Sequence, residues 1–131
     1  MKKINRLLIN ISTTRLKESK AFYTTLFDLK VEFDSDWFVN LISTDKNYEI
    51  GIIDRNNDIV PNESKQEING LYLTFVVDDA DSLYDVAQKS GYNVLQKPHD
   101  TFYGQRRLLL KDPDGLVVDV SSPIPDFQFQ K

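Results

Sequence analysis

Gln105-Arg-Arg-Leu-Leu-Leu-Lys-Asp-Pro-Asp-Gly-Leu-Val-Val-Asp-Val-Ser-Ser-Pro123 is the stretch that decides the fold. Its centre, Asp-Pro-Asp-Gly115, is typical of a tight turn, because proline presets φ, aspartate bonds its own backbone and glycine accepts a positive φ. The flanks, residues 107–110 and 116–120, are apolar and partly β-branched, which predicts a β-hairpin. Asp119 interrupts the second flank and alternates with Val118 and Val120. A carboxylate on the inner face of a strand needs a partner, water or a function.

The composition is that of one ordinary globular domain, residues 1–131. The chain has 40% apolar and 27% charged residues and a net charge of −4, so we expect no nucleic-acid or membrane partner. It has no cysteine, which excludes disulfides, thiolate metal sites and cysteine nucleophiles. No apolar run is long enough to cross a bilayer, and the first residues lack the apolar stretch of a signal peptide. We therefore expect a cytoplasmic protein.

The first half of the chain predicts one helix among four strands. Leu16, Phe22, Tyr23 and Leu26 recur at three- and four-residue spacing, which predicts an amphipathic helix over residues 15–27. Thr13 or Thr14 is expected to cap it. Alternating or β-branched segments predict strands over residues 6–13, 30–33, 37–43 and 48–54.

The pattern then begins again after a polar stretch, residues 55–69, which we interpret as a linker. Residues 71–77 predict a strand, and Asp78 or Asp79 is expected to cap a helix that runs through Ser90, with Gly91 behind it. A strand over residues 92–96 and the hairpin complete this half. The acidic cluster at residues 78–81 is better explained by capping than by calcium binding.

The two halves have the same order of elements. A shift of 64 residues places Leu7 on Leu71 and Phe22 on Val86, and both halves read β-α-β-β-β. The sequence therefore predicts an α+β fold of two βαβββ modules, about residues 4–54 and 70–121. Each sheet would be covered by a helix on one face only, and two facing sheets would enclose a half-open cleft for a ligand.

Three stretches resemble the vicinal oxygen chelate superfamily of glyoxalase I, bleomycin-resistance proteins and extradiol dioxygenases. Leu16-Lys-Glu-Ser-Lys-Ala-Phe-Tyr23 is similar to the first helix of the family, with its Ser-x-x-Phe-Tyr pattern. Val76-Val-Asp-Asp-Ala-Asp-Ser-Leu83 is similar to the start of its second helix. Tyr103-Gly-Gln-Arg106 and Asp112-Pro-Asp-Gly-Leu-Val-Val-Asp119 are similar to its C-terminal signature. The resemblance covers nearly the whole chain and implies the same two-module fold.

The resemblance also implies four metal-ligand positions, which family members that use a metal fill with His or Gln, Glu, His and Glu. In this chain the positions fall on Leu8, Glu49, Tyr72 and Asp119. Leucine cannot bind a cation and neutral tyrosine is a poor ligand, whereas a catalytic transition metal usually takes three or more protein ligands. We therefore expect no cofactor. The alternative is a divalent ion held by Glu49 and Asp119 with waters.

Glu49 and Asp119 have two interpretations. They are candidate catalytic residues for acid–base chemistry without a metal, because close carboxylates raise one pKa. The simpler interpretation is that they are solvated relics or pair with Arg107 and Tyr72. The single histidine, His99, matches none of the four positions, and we interpret it as a loop residue.

Aromatic side chains near strand ends and loops suggest a ligand groove of the kind that binds planar drugs in the bleomycin-resistance branch; ordinary core or dimer packing is the alternative. The expected ligand-binding residues are Trp37, Phe38, Tyr48, Glu49, Tyr72, Phe102, Tyr103, Arg107 and Asp119. The resemblance implies a homodimer that binds or sequesters a small planar, partly apolar molecule. The alternatives are a lyase, isomerase or dioxygenase that uses Glu49 and Asp119, and a structural or regulatory dimer without a ligand.

Overall fold

A computed structural model describes residues 2–128 of the chain. The chain divides into two compact units, Met1–Glu67 and Ile68–Lys131. Each unit contains one four-stranded sheet and one α-helix that packs on it.

The elements follow the predicted order in both units. The first unit contains β1 (Ile9–Thr13), α1 (Leu16–Leu26), β2 (Leu29–Asp34), β3 (Phe38–Ser43), β4 (Glu49–Asp54) and a short 3-10 helix (Asn62–Ser64). The second contains β5 (Tyr72–Val76), α2 (Ala80–Lys89), β6 (Asn93–Asp100), β7 (Gln105–Lys111) and β8 (Val117–Pro123). The strand orders are β1-β4-β3-β2 and β5-β8-β7-β6, with β1–β4 and β5–β8 parallel and the other pairs antiparallel. The predicted α+β fold of two βαβββ modules is confirmed.

The period-two rule decides which face of the first sheet carries its core. Side chains at paired positions of neighbouring strands lie on the same face, and one face of β1, β3 and β4 carries a set of buried apolar residues: Ile11, Val39, Leu41, Ile50 and Ile52. Helix α1 packs on this sheet and contributes the fully buried Phe22 and Tyr23. The opposite, open face carries Asn10, Asn40 and Glu49, and the candidate site is built there.

The second unit repeats this arrangement around the hairpin. Val118 and Val120 are fully buried, whereas Asp119 between them lies on the other face of the sheet. The turn is closed by Asp112 Oδ1, which accepts the N–H groups of Asp114 and Leu116 at 2.8 and 2.9 Å. Gly115 has φ +87°, a conformation that glycine adopts without a steric penalty. The turn chemistry therefore orients Asp119 toward the open face.

The two helices begin in different ways. Asp79 caps α2, because its Oδ1 accepts the N–H groups of Asp81 and Ser82, as the sequence allowed. The predicted cap of α1 is wrong: its N-cap residue is Arg15, with no side-chain cap. Thr13 is the last residue of β1, and its Oγ1 accepts the N–H of Arg15 at 2.7 Å and lies 3.2 Å from Ser19 Oγ of α1.

The structure of two other stretches differs from what the sequence predicts. Residues 55–67, interpreted as part of a linker, belong to the first compact unit, and Val60 is buried there. His99 is not a loop residue: β6 continues to Asp100, and His99 pairs with Arg107 of β7. β6 therefore extends beyond the predicted strand, residues 92–96, and includes Pro98, which is tolerated because β6 is an edge strand. Within residues 2–128, neither helix has the length and apolar content needed to span a membrane.

Candidate functional site

A pocket of about 550 Å³ lies on the open face of the first sheet. Its lining combines one side of β1, the start of β3, the end of β4 and the chain that follows β4: Leu8, Asn10, Ser12, Trp37, Phe38, Ile53, Ile59, Val60, Pro61 and Ser64. Ser12 Oγ donates to the backbone oxygen of Ser64 at 2.6 Å, which fastens the covering segment to the sheet. The segment interpreted as a linker is therefore one wall of the pocket.

Aromatic rings form another part of the lining. The ring centroids of Trp37 and Phe38 are 5.6 Å apart, and those of Phe33 and Phe38 are 6.0 Å apart. Trp37 remains 37% exposed, so its ring has surface that a ligand can cover. Of the predicted ligand-binding residues, Trp37 and Phe38 line this pocket, together with Leu8, one of the degenerate metal positions.

Gly51 leaves the floor of this face open. It pairs with Asn10 on one side and Asn40 on the other. A Cβ at this position would collide with Asn10 Oδ1 and would lie 3.0 Å from Phe38 Cε1. The absent side chain therefore gives Asn10 and Phe38 the space they occupy. The Asn10 side chain makes no hydrogen bond with residues 2–128 and is available to a ligand.

Glu49, the second degenerate metal position, is paired with Arg6 in the segment before β1. Arg6 donates through Nε and Nη2 to the two carboxylate oxygens, each at 2.6 Å. The Glu49 side chain is 8% exposed, whereas that of Arg6 is 62% exposed. Asn40 Nδ2 donates to the same carboxylate at 3.4 Å. The Arg6 hydrogen bond, against the opposing effect of desolvation, holds the pKa of Glu49 below its ordinary value.

The lowered pKa of Glu49 predicts a pH-dependent contribution to stability. Since the pKa is lower in the folded state, the pair stabilises the fold above the ordinary value of 4.5, and this contribution is lost as the pH falls through the folded-state pKa. Glu49→Gln should therefore lower the melting temperature near neutral pH, and the difference from wild type should shrink in acid. Thermal unfolding between about pH 7 and about pH 2 measures this.

Glu32→Gln is the charge-matched control for that measurement. Glu32 lies on β2, is exposed, and makes no hydrogen bond or ion pair within residues 2–128. Its substitution should leave the melting temperature close to wild type near neutral pH. A Glu49→Gln deficit that persists unchanged in acid would contradict the assignment of the effect to the Arg6–Glu49 pair.

In the second unit, Asp119 is the centre of a polar cluster on the open face. Thr74 Oγ1 donates to Oδ2 at 3.0 Å, and Ser121 Oγ donates to Oδ1 at 2.7 Å. Arg107 Nε lies 3.2 Å from Oδ2, and the Arg107 guanidinium carbon lies 5.9 Å from the centre of the Tyr72 ring. Three predicted residues, Tyr72, Arg107 and Asp119, are thus brought together.

Arg107 and Asp119 form an ion pair but not a hydrogen bond. Nε is within ion-pair distance, yet it is buried and has no hydrogen-bond partner among residues 2–128. A hydrogen bond requires alignment as well as a short distance. The short distance without a hydrogen bond means that the Nε–H does not point at the Asp119 carboxylate. The attraction is therefore one of charge alone.

The remaining predicted aromatic residues lie outside the pocket. Tyr48 precedes β4 and is exposed. Phe102 and Tyr103 lie in the turn between β6 and β7, where their rings make an edge-to-face contact at 5.3 Å. Phe102 is 88% exposed. None of these three side chains is among the residues that line the first unit's pocket.

Several site residues were missed by the sequence analysis, although a simple signal would have found some of them. Period-two counting from Leu8 reaches Asn10 and Ser12, and the same counting from Asp119 reaches Ser121. A shift of 64 from Asn10 reaches Thr74. The period-two counting also reaches Arg6, which lies two residues before Leu8 in the predicted strand, residues 6–13.

The two carboxylates at the family's metal positions already have protein partners. Both oxygens of Glu49 accept from Arg6, both oxygens of Asp119 accept from hydroxyls, and each carboxylate has an arginine beside it. Across the described part of the chain, no three His, Cys, Asp or Glu side chains are grouped so that they could hold a metal. At either carboxylate a hard cation would have to displace the arginine that already pairs with it, and no group of three such side chains lies there among the described residues. The residues present do not fit a metal site.

The chain belongs to the Glyoxalase/Bleomycin resistance protein/Dioxygenase superfamily, whose profile matches residues 3–120. No curated protein matches it.

Solved structures show the same fold. A glyoxalase/bleomycin resistance protein/dioxygenase family enzyme from Burkholderia phytofirmans PsJN is 26% identical, with a TM-score of 0.75 over 89% of this chain and 97% of that one. TnmS3, an antibiotic binding protein from Streptomyces sp. CB03234, is 23% identical, with a TM-score of 0.68 over 94% and 98%. A lactoylglutathione lyase from Agrobacterium tumefaciens is 18% identical, with a TM-score of 0.68 over 92% and 95%. The last two likenesses bear on the fold alone.

Proposed function

We propose that this protein binds a small planar, partly apolar molecule without a metal ion, in the pocket on the open face of the first sheet. The observation that carries the proposal is the pocket itself, about 550 Å³ with Trp37 and Phe38 in its lining. This volume lies within the range of small-molecule sites, which are mostly apolar with a few placed polar groups. In this proposal the protein is a cytoplasmic homodimer of the bleomycin-resistance-like branch that sequesters its ligand.

The pocket lining offers apolar surface and one free side-chain amide to a ligand. Ile53, Ile59 and Val60 supply aliphatic surface, and the exposed part of Trp37 supplies a flat surface for stacking. Asn10 offers an amide donor and acceptor that no described residue uses. A planar ligand with one polar edge is the shape that uses all three features.

Ligand titration tests the proposal directly. Trp37 is the single tryptophan, so quenching of its fluorescence reports a molecule that reaches the pocket. A panel of naphthalene, quinoline and acridine derivatives should contain binders, and Trp37→Ala should weaken the best one about tenfold by calorimetry, because the stacking contact is lost. Tyr48→Ala is the matched control: this exposed aromatic lies outside the pocket and its loss should change nothing. Equal effects of both variants, or no binder, would overturn the proposal.

The alternative is a lyase, isomerase or dioxygenase that uses Glu49 and Asp119 with a metal. The arginine beside each carboxylate argues against it, since a guanidinium already supplies the positive charge. The metal content of protein purified without chelator, and its melting temperature with added nickel, zinc, manganese or iron(II), distinguish the metal-dependent enzyme from the binding protein. Near-stoichiometric metal, or a large rise in melting temperature with one ion, would replace the binding proposal by the enzyme.

A further inference from the structure

The start of the second unit contains Asn69-Gly70, the single place in the sequence where glycine follows asparagine. Both residues are exposed and lie outside the helices and strands, shortly before β5. The Asn69 side chain and the Gly70 N–H make no hydrogen bond with residues 2–128. Gly70 has φ +83°, and no atom lies within 4 Å of the place where its Cβ would stand. The side-chain amide and the backbone nitrogen that follows it are therefore both free to react.

These two groups can close a five-membered ring. The Gly70 nitrogen loses its proton to base and attacks Asn69 Cγ, so that an N–Cγ bond forms, the Cγ–Nδ2 bond breaks and ammonia leaves with a proton from water. Water then opens the cyclic imide at one of its two carbonyls, which gives aspartate or isoaspartate, and nothing is oxidised or reduced. Glycine is the least hindered partner for this reaction, because it has no side chain beside the attacking nitrogen.

The structure restrains other asparagines that could react in the same way. The backbone nitrogen that follows Asn47 donates to Ser43 Oγ at 3.0 Å, and the nitrogen that follows Asn56 donates to Asp54 O at 2.9 Å. An attack would have to break these hydrogen bonds first. Strands hold three more asparagines in extended backbone: Asn10, Asn40 and Asn93. Every asparagine other than Asn69 also precedes a residue with a side chain.

We propose that Asn69 is a site of spontaneous modification, at which the folded protein deamidates to aspartate and isoaspartate. Both products add one negative charge. Isoaspartate also lengthens the backbone by one carbon atom, because the chain then runs through Cγ. The change falls just before Tyr72, where the edge strand β5 begins to pair with β8. The first pairs of β5 should therefore open more readily in the modified chain.

Peptide mass spectrometry after incubation of the whole chain in mildly alkaline buffer at body temperature tests the proposal. The peptide that contains Asn69 should become about 1 Da heavier before any other asparagine peptide does. The rate should rise with pH, because the attacking nitrogen must be deprotonated. An endoprotease that cuts before aspartate but not before isoaspartate distinguishes the two products. Earlier modification of another asparagine would overturn the proposal.

A free peptide with the sequence of residues 64–74 supplies the rate for a chain without restraint. Since the described residues do not bind either reacting group, the folded protein should deamidate within about tenfold of the peptide rate. A protein that reacts more slowly than this would show that the fold protects Asn69, and the assignment would be wrong.

Matched variants locate the reaction. Asn69→Gln should stay unmodified, because its longer side chain would have to close a six-membered ring. Asn56→Gln changes another exposed asparagine and should leave the rate at Asn69 unchanged. Gly70→Ala should slow the reaction at least about tenfold, since the methyl group hinders the attack. If the positive φ keeps Gly70→Ala from folding, the Asn69→Gln and Asn56→Gln pair decides. An unchanged rate in folded Gly70→Ala would overturn the ring-closure step.

Hydrogen exchange measures the consequence for β5. The amides of residues 72–76 should exchange faster in aged wild-type protein than in fresh protein. Aged Asn69→Gln should exchange like the fresh protein, because it keeps its backbone length. Equal acceleration in both aged proteins would show that deamidation at Asn69 does not loosen the strand.

Discussion

Asp119→Ala is expected to lower the free energy of unfolding of the second unit by about 3 kcal/mol, because breaking a buried ion pair strands the other charge. The Asp119 side chain is 6% exposed and that of Arg107 is 26% exposed, so water can screen the orphaned guanidinium only in part. The same change removes the acceptor of Thr74 and Ser121. Chemical denaturation of the purified variant measures the loss.

Two further variants separate charge from hydrogen bonding. Asp119→Asn keeps an oxygen acceptor and the shape of the side chain, so it should cost less than Asp119→Ala. The double variant Asp119→Ala/Arg107→Met removes both charges, and its loss should fall short of the sum of the single losses by at least about 1 kcal/mol, as for other contacting pairs. Strict additivity would show that Arg107 and Asp119 do not interact energetically.

The sequence predicts that Asp119 needs a partner, but it does not identify every partner that the structure shows. The hairpin signal placed Asp119 on the face opposite Val118 and Val120 because strand periodicity and turn chemistry are local properties. Arg107 is a partner that the sequence does suggest, since it is in phase on the neighbouring strand. Thr74 was not, because its contact depends on the parallel register of β5 against β8, which no local pattern encodes.

In the first unit, too, local features could be predicted from the sequence and long-range contacts could not. The aromatic pair Trp37–Phe38 was found because its residue type and its place at a strand start are visible in the chain. Arg6 was not found, although it lies within the predicted strand at residues 6–13, because its partner Glu49 is 43 positions away in the sequence. The covering wall at residues 59–64 was interpreted as a linker, because polar composition hides two apolar side chains, Ile59 and Val60, that line the pocket. Long-range contacts of irregular segments are what the sequence analysis could not predict.

Gly51→Ala is expected to destabilise the first unit by about 1–3 kcal/mol, although alanine usually suits a strand better than glycine does. The added Cβ would collide with Asn10 Oδ1 and crowd Phe38 Cε1 at 3.0 Å. Both neighbours line the pocket, so they must move and the affinity for the planar ligand should fall as well. Denaturation and calorimetry on the same preparation measure the two effects.

A second substitution should separate these effects. Asn10→Ala removes the atom that the new Cβ meets, and alone it should be nearly neutral for stability because the Asn10 amide makes no hydrogen bond with the described residues. Gly51→Ala/Asn10→Ala should therefore recover much of the lost stability. It should not recover affinity, because the amide proposed to bind the polar edge of the ligand is gone. If affinity returned with stability, Asn10 would be a packing residue only; if neither returned, Phe38 would be the neighbour that cannot move.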